Sequence, residues 1–475
     1  MATTPFYVAG ERRKGEGVLE VKSPWDQSVV AEVGLPTAKD LEDATVAAVE
    51  TFEESRKLPV HARADALDHI SKRLGEMAQE NAETIAREGG KPLKWAKIEA
   101  VRAVSTFRWA SEVVRAGDDE IMRLDAEPGM VGRLAIIRRF PLGPVFGISP
   151  FNFPLNLVAH KLAPSIGAGA PMVLKPASAT PLGALVLADL FDETDLPKGM
   201  YSALPAKSSL AENAVRDPRF RKVTFTGSAE VGWHLKGIDP KKRYTLELGG
   251  NAGVIVHSDA DLDWAAQRCA FGGYYQAGQS CISVQRIFVQ ADVYEEFCTR
   301  FVKQVEALKT GDPMDSATDV GPVIDSGSLD RIDQSVSEAV AAGAKVLTGG
   351  ERMDPCYKPT VLAETMAEMT VRCEEIFGPV TAVIPYGTFE EAIAAVNDSR
   401  FGLQAGVFTN DIARALQAHR DIEVGGVIVN DQSAFRADQQ PYGGSKDSGF
   451  GREGLRYAME EMTEPRIMVL SNVPL

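Results

Sequence analysis

The chain has 475 residues, 44% of them hydrophobic and 25% charged, with 42 Gly, 27 Pro and 7% aromatic residues. This ordinary globular composition excludes collagen-like, low-complexity and mainly disordered chains, and at about 100–200 residues per domain it provides for roughly three domains with cores of their own. Lys and Arg number 51 against 66 Asp and Glu, a net charge of −15; a nucleic-acid or anionic-membrane partner is not expected, and any basic groups that handle an anionic small molecule must lie inside a pocket.

Met1 to Lys14 has no apolar core and carries Glu11, Arg12, Arg13 and Lys14, so it does not read as a signal peptide. Helices are expected from residue 37 to about 117. Thr37 with Asp40 resembles a capping pair and Pro59 breaks the first helix. His61 to Glu88 reads as one helix stopped at Gly89–Gly90, and a further helix runs from Pro92 to Gly117. Glu120 to Phe140 reads as a hairpin turning at Pro128–Gly129. The stretch Phe140 to Ala159 is uncharged and imitates a membrane span, but Pro141, Pro144, Pro150 and Pro154 argue instead for buried backbone around a site.

Between about 143 and 258 the strands VFGIS, MVLK, MYSAL, KVTFTG, YTLEL and GVIVH alternate with helical stretches. A second alternation follows through RIFVQ, KVLTG, TAVIPY and VIVND. Both are the signature of wound parallel sheets. The tail Arg466 to Leu475 reads as a strand. With the hairpin it would leave unpaired edges, which suggests an arm that seals against another subunit. The fold class is therefore α/β: two wound, Rossmann-like domains plus a small β oligomerisation arm.

The five cysteines, Cys269, Cys281, Cys298, Cys356 and Cys373, have no CxxC spacing and read as reduced thiols. The compartment expected is the cytoplasm. No HExxH, paired CxxC or clustered His supports a metal site. One GxGxxG match, Gly449, Gly451 and Gly454, follows a loop and lies too near the end of the chain for a dinucleotide-binding unit.

Three residues carry chemistry. Cys281, in AGQSCIS, is a thiol with steric access among small and polar neighbours, whereas Cys269 and Cys298 sit in helical patterns as inert core residues. Asn152, in PFNFP, offers a neutral N–H to an oxyanion; alternatively it is a turn-forming Asn satisfied by its own backbone. Glu247, in LELGGNAG, ends a strand before two glycines and suits a general base; alternatively it is a solvated or capping Glu.

PFNFP, VLKPAS, FTGS, LELGG, GQSC, EEIFGP and PYGGSKDSGFGREG follow one another in the order of the aldehyde dehydrogenase superfamily, and the chain resembles that family over essentially its whole length. The resemblance implies a cofactor domain (residues 1–118 and 140–247), a catalytic domain (248–450) and an arm (119–139 and 463–475) that assembles homodimers or homotetramers. It implies that Cys281 adds to the aldehyde carbonyl, that Asn152 and the Cys281 N–H hold the oxyanion, that hydride passes to a nicotinamide, and that Glu247 activates the water that hydrolyses the thioester. Retention of Glu247 points to a free acid rather than a coenzyme A ester. For NAD or NADP it implies Ile148, Ser149, Pro150 and Phe151 along the cleft, Lys175 on the adenosine ribose, Gly227 and Ser228 at the pyrophosphate, and Leu248, Glu375 and Phe377 near the nicotinamide. Many NAD-preferring relatives carry Glu three residues after the lysine. Ser178 removes that repulsion of a 2′-phosphate, so NADP is expected to be accepted; alternatively Ser178 merely opens the next helix.

The acyl pocket of the family corresponds here to Arg108, Phe153, Leu157, His160, Ser280, Ile282, Phe435 and Arg436. Two arginines and a histidine in an apolar funnel suggest an aldehyde bearing a carboxylate, phosphonate, sulfonate or phosphate, closest to the succinate-semialdehyde, lactaldehyde and phosphonoacetaldehyde branches. Ser280, where phosphonate-specific relatives place Arg, counts against the last. Alternatively Arg108 and Arg436 are surface or interface arginines paired with acids such as Asp438, and the aldehydes are neutral. Two rival classes stand beside this one. An inert structural oligomer is opposed by the Asn152, Glu247, Cys281 set, and a cofactor-independent thiol hydrolase would need a His base such as His257.

Overall fold

Capping and turn residues set the N-terminal helices. The computed structural model describes residues 2–117 and 119–472. Thr37 caps helix Ala38–Ser55: its Oγ1 accepts from the Asp40 N–H at 3.3 Å while Asp40 Oδ2 accepts from the Thr37 N–H at 2.8 Å. Pro59 precedes Val60–Glu76, and Leu93–Ala116 runs between Pro92 and Gly117. The single helix expected over 61–88 is instead two, Val60–Glu76 and Ala78–Gly89, separated at Met77. Gly75 weakens the helix just before the break. The break lets both pieces pack on Leu93–Ala116.

The first alternation forms an eight-stranded sheet whose five parallel strands lie in the order Tyr201–Ala203, Met172–Lys175, Val145–Ile148, Lys222–Thr226, Arg243–Glu247. The chain winds outward from Val145–Ile148 on one side, then returns to build the other. The winding reverses between Val145–Ile148 and Lys222–Thr226, and in such sheets the crevice at the carboxyl ends of those two strands receives ligands. Gly449–Phe450 pairs antiparallel with Leu246 and Glu247, so the end of the 248–450 segment belongs to the first sheet. That strand holds the first glycine of the GxGxxG match.

The second sheet has seven strands, with Thr360–Ala363, Val380–Tyr386, Val284–Gln290, Ala252–Val256, Gln404–Phe408 and Gly426–Val429 parallel and Lys345–Thr348 antiparallel at one edge. A third sheet joins Glu120–Arg123, Arg133–Pro141 and Thr463–Ser471, with the middle strand paired on both sides. Ile121, Val131, Ile467 and Met468 stand exposed on it or beside it. Met1, Asp118 and residues 473–475 of the expected segments lie outside the described residues. Among the described residues no helix is long and apolar enough to cross a membrane; the uncharged stretch 140–159 ends one strand, forms a second and opens helix Asn156–Ala168.

Candidate active site

The loop before strand Val284–Gln290 presents Cys281. It is bent by three consecutive residues with left-handed backbone, Gln276 (φ 54°), Ala277 (φ 56°) and Gly278 (φ 69°), two of which carry side chains that disfavour this conformation. The bend is held from the first sheet. Gln276 Nε2 donates to the Asn152 carbonyl oxygen, and Asn152 Nδ2 donates to the Gln279 carbonyl oxygen at 3.0 Å. The second Nδ2 hydrogen is left for another acceptor. The Cys281 backbone N–H makes no hydrogen bond among the described residues. Cys281 Sγ lies 3.1 Å from the Tyr442 hydroxyl. Low-dielectric surroundings push the thiol up to about 12, with Glu375 and Glu247 adding to the rise and Tyr442 and Arg436 opposing it.

Glu247 ends its strand 2% exposed, and neither carboxylate oxygen has a hydrogen-bond partner. Burial, then the charge of Glu453, raises its pKa well above the usual carboxylate range. The glycines beside it permit close approach. A Cβ at Gly250 would collide with the Cys281 carbonyl oxygen, one at Gly249 with the Glu375 carboxylate, and one at Gly443 would lie 2.9 Å from Glu247 Oε1. Asn152, Glu247 and Cys281 are thus brought to one place from three distant segments.

The residues expected to hold the nucleotide lie at or near the crevice where the first sheet reverses. The Ser149 N–H donates to the Lys175 carbonyl oxygen at 3.2 Å, while its buried Oγ has no partner. Lys175 is buried, its Nζ only 3.3 Å from the Pro176 carbonyl oxygen, and burial lowers its pKa. Ser228, next to Gly227, caps helix Ala229–Ile238, its side chain accepting from the Val231 N–H at 3.4 Å. Leu248 is buried and donates its N–H to the Ser448 carbonyl oxygen at 2.9 Å; a Cβ at Gly232 would strike its side chain. Glu375 accepts from the Gly250 N–H at 2.8 Å, and burial pushes it up to about 7. Phe377 (φ 51°) meets Phe151 edge-on with centroids 5.9 Å apart. Ile148 closes the strand end, and Pro150 is partly exposed beside it. Ser178 is exposed in a turn and does not open the following helix, which begins at Leu182.

A cavity of about 220 Å³ lies between helix Leu93–Ala116, helix Leu262–Tyr274 and the loop 432–436; Cys281 does not line it, but Ala434 of its wall packs on the same small apolar cluster as Cys281. Phe153 and Phe435 line it as expected, with Trp95, Phe271 and Tyr275; its cations are Lys91, Arg102, Arg268 and Arg436. Arg436 is buried, 3.2 Å from Glu453 Oε2 and 3.7 Å above the Tyr442 ring. Arg102 pairs with Asp438 at 2.8 Å and Arg268 with Asp431 at 2.6 Å.

Several expected pocket residues stand elsewhere. Arg108 is exposed, its guanidinium over Trp109, because six residues turn it away from the helix face that carries Arg102. His160 is buried behind Arg436, 3.2 Å from Asp438, and burial followed by Arg436 lowers it to about 4. Leu157 is buried but does not line the cavity. Ile282 packs with Leu403 and Tyr442. Ser280 accepts from the Tyr275 hydroxyl at 2.9 Å and borders a small crevice with Glu375 and Phe377. Arg436 does pair with an acid, Glu453 rather than Asp438, but its side chain is only 7% exposed and so does not lie on the surface. His257 hydrogen-bonds the Tyr386 hydroxyl at 2.9 Å and has no contact with Cys281, which leaves the hydrolase reading without its base.

Sequence reasoning missed Lys91, Arg102, Arg268, Gln276 and Tyr442. For the helix, the spacing of Trp95, Ile98 and Arg102 marks a single face and was the available signal.

Comparison with known proteins agrees with this geometry. The profile described as "Aldehyde dehydrogenase family" matches residues 11–468. The 3-sulfolactaldehyde dehydrogenase of Priestia aryabhattai is 41% identical over 467 residues, 98% of each chain. The crystal structure of aldehyde dehydrogenase 21 from Physcomitrella patens, in complex with its reaction product succinate, superposes with a TM-score of 0.97 at 42% identity, covering 99% of this chain and 98% of that one. The glyceraldehyde-3-phosphate dehydrogenase of Methanocaldococcus jannaschii, complexed with NADP, gives a TM-score of 0.92 at 35% identity over 95% of this chain and 99% of the other. On the profile match, the identities and the shared fold together, this chain belongs to the aldehyde dehydrogenase family.

Proposed function

We propose that the protein oxidises an aldehyde carrying an anionic group to the carboxylic acid, with NAD or NADP as hydride acceptor. The observation that carries the choice of substrate is the cavity lined by Gln276, Ala434 and Arg436, which adjoins the cluster holding Cys281 through Ala434. Arg436 and Arg102 face it although both lie in buried or half-buried ion pairs, an arrangement suited to forked recognition of a carboxylate, sulfonate or phosphate. The succinate complex of one relative and the sulfolactaldehyde substrate in the name of another support the same class.

In this reading the Cys281 thiol loses its proton and Sγ bonds to the carbonyl carbon. The remaining Asn152 N–H and the free Cys281 backbone N–H stabilise the resulting oxyanion of the thiohemiacetal. The chemistry that a bound nicotinamide supplies is acceptance of a hydride, which leaves a thioester on Cys281. Glu247, once deprotonated, takes a proton from a water that attacks the thioester carbon; the C–S bond breaks, releasing acid and regenerating the thiol. Ser149, Lys175, Gly227, Ser228 and Glu375 hold the cofactor. Ser178, neutral and exposed three residues after Lys175, leaves room for a 2′-phosphate. The N-terminal sheet is the cofactor domain, the second sheet the catalytic domain, and the sheet of 120–123, 133–141 and 463–471 the arm through which two or four copies assemble.

A matrix of anionic and neutral aldehydes against NAD and NADP, with products identified, tests the proposal. Higher kcat/KM for the anionic members and a free-acid product are expected. Equal kcat/KM for propanal would favour a broad-specificity enzyme for neutral aldehydes. Acyl-coenzyme A formation would overturn the role of Glu247, and ester hydrolysis without cofactor would restore the hydrolase.

A further inference from the structure

The Tyr442 side chain has no part in the scheme above, yet it touches the atom on which that scheme turns. It is 3% exposed, and its hydroxyl has one partner among the described residues, Cys281 Sγ at 3.1 Å. Its main chain is tied at both ends: the Tyr442 N–H donates to the Glu453 carbonyl oxygen at 3.0 Å, and the Glu453 N–H donates back at 2.6 Å. The ring packs with Ile282 and Leu403 on its edges, and the Arg436 guanidinium lies 3.7 Å above its centre. Phenylalanine would satisfy all of that packing and stacking. The hydroxyl is the one feature that packing does not explain, and a buried hydroxyl is placed to meet its partner.

We propose that Tyr442 is a further catalytic residue, whose hydroxyl donates a hydrogen bond to the Cys281 thiolate and holds the sulfur aimed at the carbonyl before attack. Of the ionisable groups that act on Sγ, namely Tyr442, Glu375, Arg436 and Glu247, Tyr442 alone is within hydrogen-bond distance. The two carboxyls disfavour a thiolate, and Arg436 favours it from beyond the ring. The direction of donation follows from the chemistry: a thiolate has no hydrogen to give, and the phenol remains neutral. The cation on the ring face draws electron density from the phenol and strengthens it as a donor. The inference rests on Cys281 being the nucleophile.

The test is alkylation of Cys281 by iodoacetamide as a function of pH in the wild type, in Tyr442→Phe and in a protein with 3-fluorotyrosine at position 442. In Tyr442→Phe the apparent thiol pKa is expected to rise by about one unit, a roughly tenfold loss of thiolate below it. Its kcat should fall about as far for neutral and anionic aldehydes alike, with the NADP dissociation constant unchanged. The more acidic fluorinated phenol is expected to move the profile the opposite way, and it carries the test alone if Tyr442→Phe does not fold. Superimposable profiles, or shifts in the same direction, would overturn the proposal. Cys281→Ala separates the two readings: turnover that survives this change would refute the nucleophile, whatever Tyr442 does.

Discussion

The two sides of the funnel treat buried polarity in opposite ways. On the charged wall the ions are paired, and Arg436 Nε is the one buried polar atom among these ion-pair members left without a partner. Lys161 lies 3.0 Å from Glu453, Arg436 3.2 Å from the same carboxylate, and His160 and Arg102 flank Asp438. Burial acts to raise Glu453 and Asp438, yet Lys161 and Arg436 hold the first, and the His160 hydrogen bond and the Arg102 charge the second, well below the usual range. At the thiol, by contrast, Glu247 has two orphan oxygens, and Asn152 Oδ1 and Ser149 Oγ are orphaned as well. An unpartnered buried polar atom costs stability, about 1–3 kcal/mol each, and such a cluster is retained where a ligand supplies the missing partners. The wall is a finished structure, and the centre is completed by what binds there.

Removing the proposed base should break this contrast most severely. Glu247→Gln is expected to lower steady-state turnover by about 100-fold or more while a single-turnover burst of reduced cofactor survives, measured by stopped-flow absorbance. The pH dependence has a definite sign. Because the Glu247 carboxyl is raised, its basic form appears only as pH rises above the ordinary carboxylate range, so the wild-type post-burst rate should climb toward alkaline pH. The Gln variant should lose that climb.

The next largest effect belongs to the wall. Arg436→Ala should raise KM for an anionic aldehyde by roughly 10–100-fold, the loss of a charge-assisted contact, and change KM for propanal by far less. It also leaves Glu453 with Lys161 as its one ion-pair partner among the described residues, so the melting temperature should fall, as calorimetry would register. Ser178→Glu should raise KM for NADP by about tenfold and leave NAD nearly untouched, from repulsion of a carboxylate and a 2′-phosphate. The smallest effects sharpen the helix assignment. Arg102→Ala should weaken anionic substrates by a few-fold, whereas Arg108→Ala should be kinetically silent.

Helix caps, the two strand alternations and the seven motifs were legible because each is written in contiguous residues. Asn152, Glu247 and Cys281 fall within such motifs, and the fold only had to bring them together. Arg102 escaped because choosing it over Arg108 requires knowing which face of a 24-residue helix meets the cavity, and both arginines lie in the same helical pattern. Nothing in the sequence marks the break at Met77, because the apolar period of His61–Glu88 continues on both sides of it. Gln276 and Ala277 escaped for a different reason: nothing in an ordinary Gln-Ala pair announces left-handed backbone, which is imposed here by contacts with Asn152. Tyr442 and Cys281 stand 161 positions apart, and no local signal joins them.

Gly249 and Gly250 bear on how this enzyme can be altered by laboratory evolution. Where a side chain would begin, the first meets the Glu375 carboxylate and the second the Cys281 carbonyl oxygen. A replacement at Gly250 would press on backbone and displace the thiol loop, whereas one at Gly249 meets only the end of a side chain that can swing aside, so a library at position 250 should hold far fewer active clones than one at 249. The tolerant ground for retuning is the loop at the outer rim, where Phe435 already faces water and a changed side chain would meet the incoming aldehyde before it meets the protein.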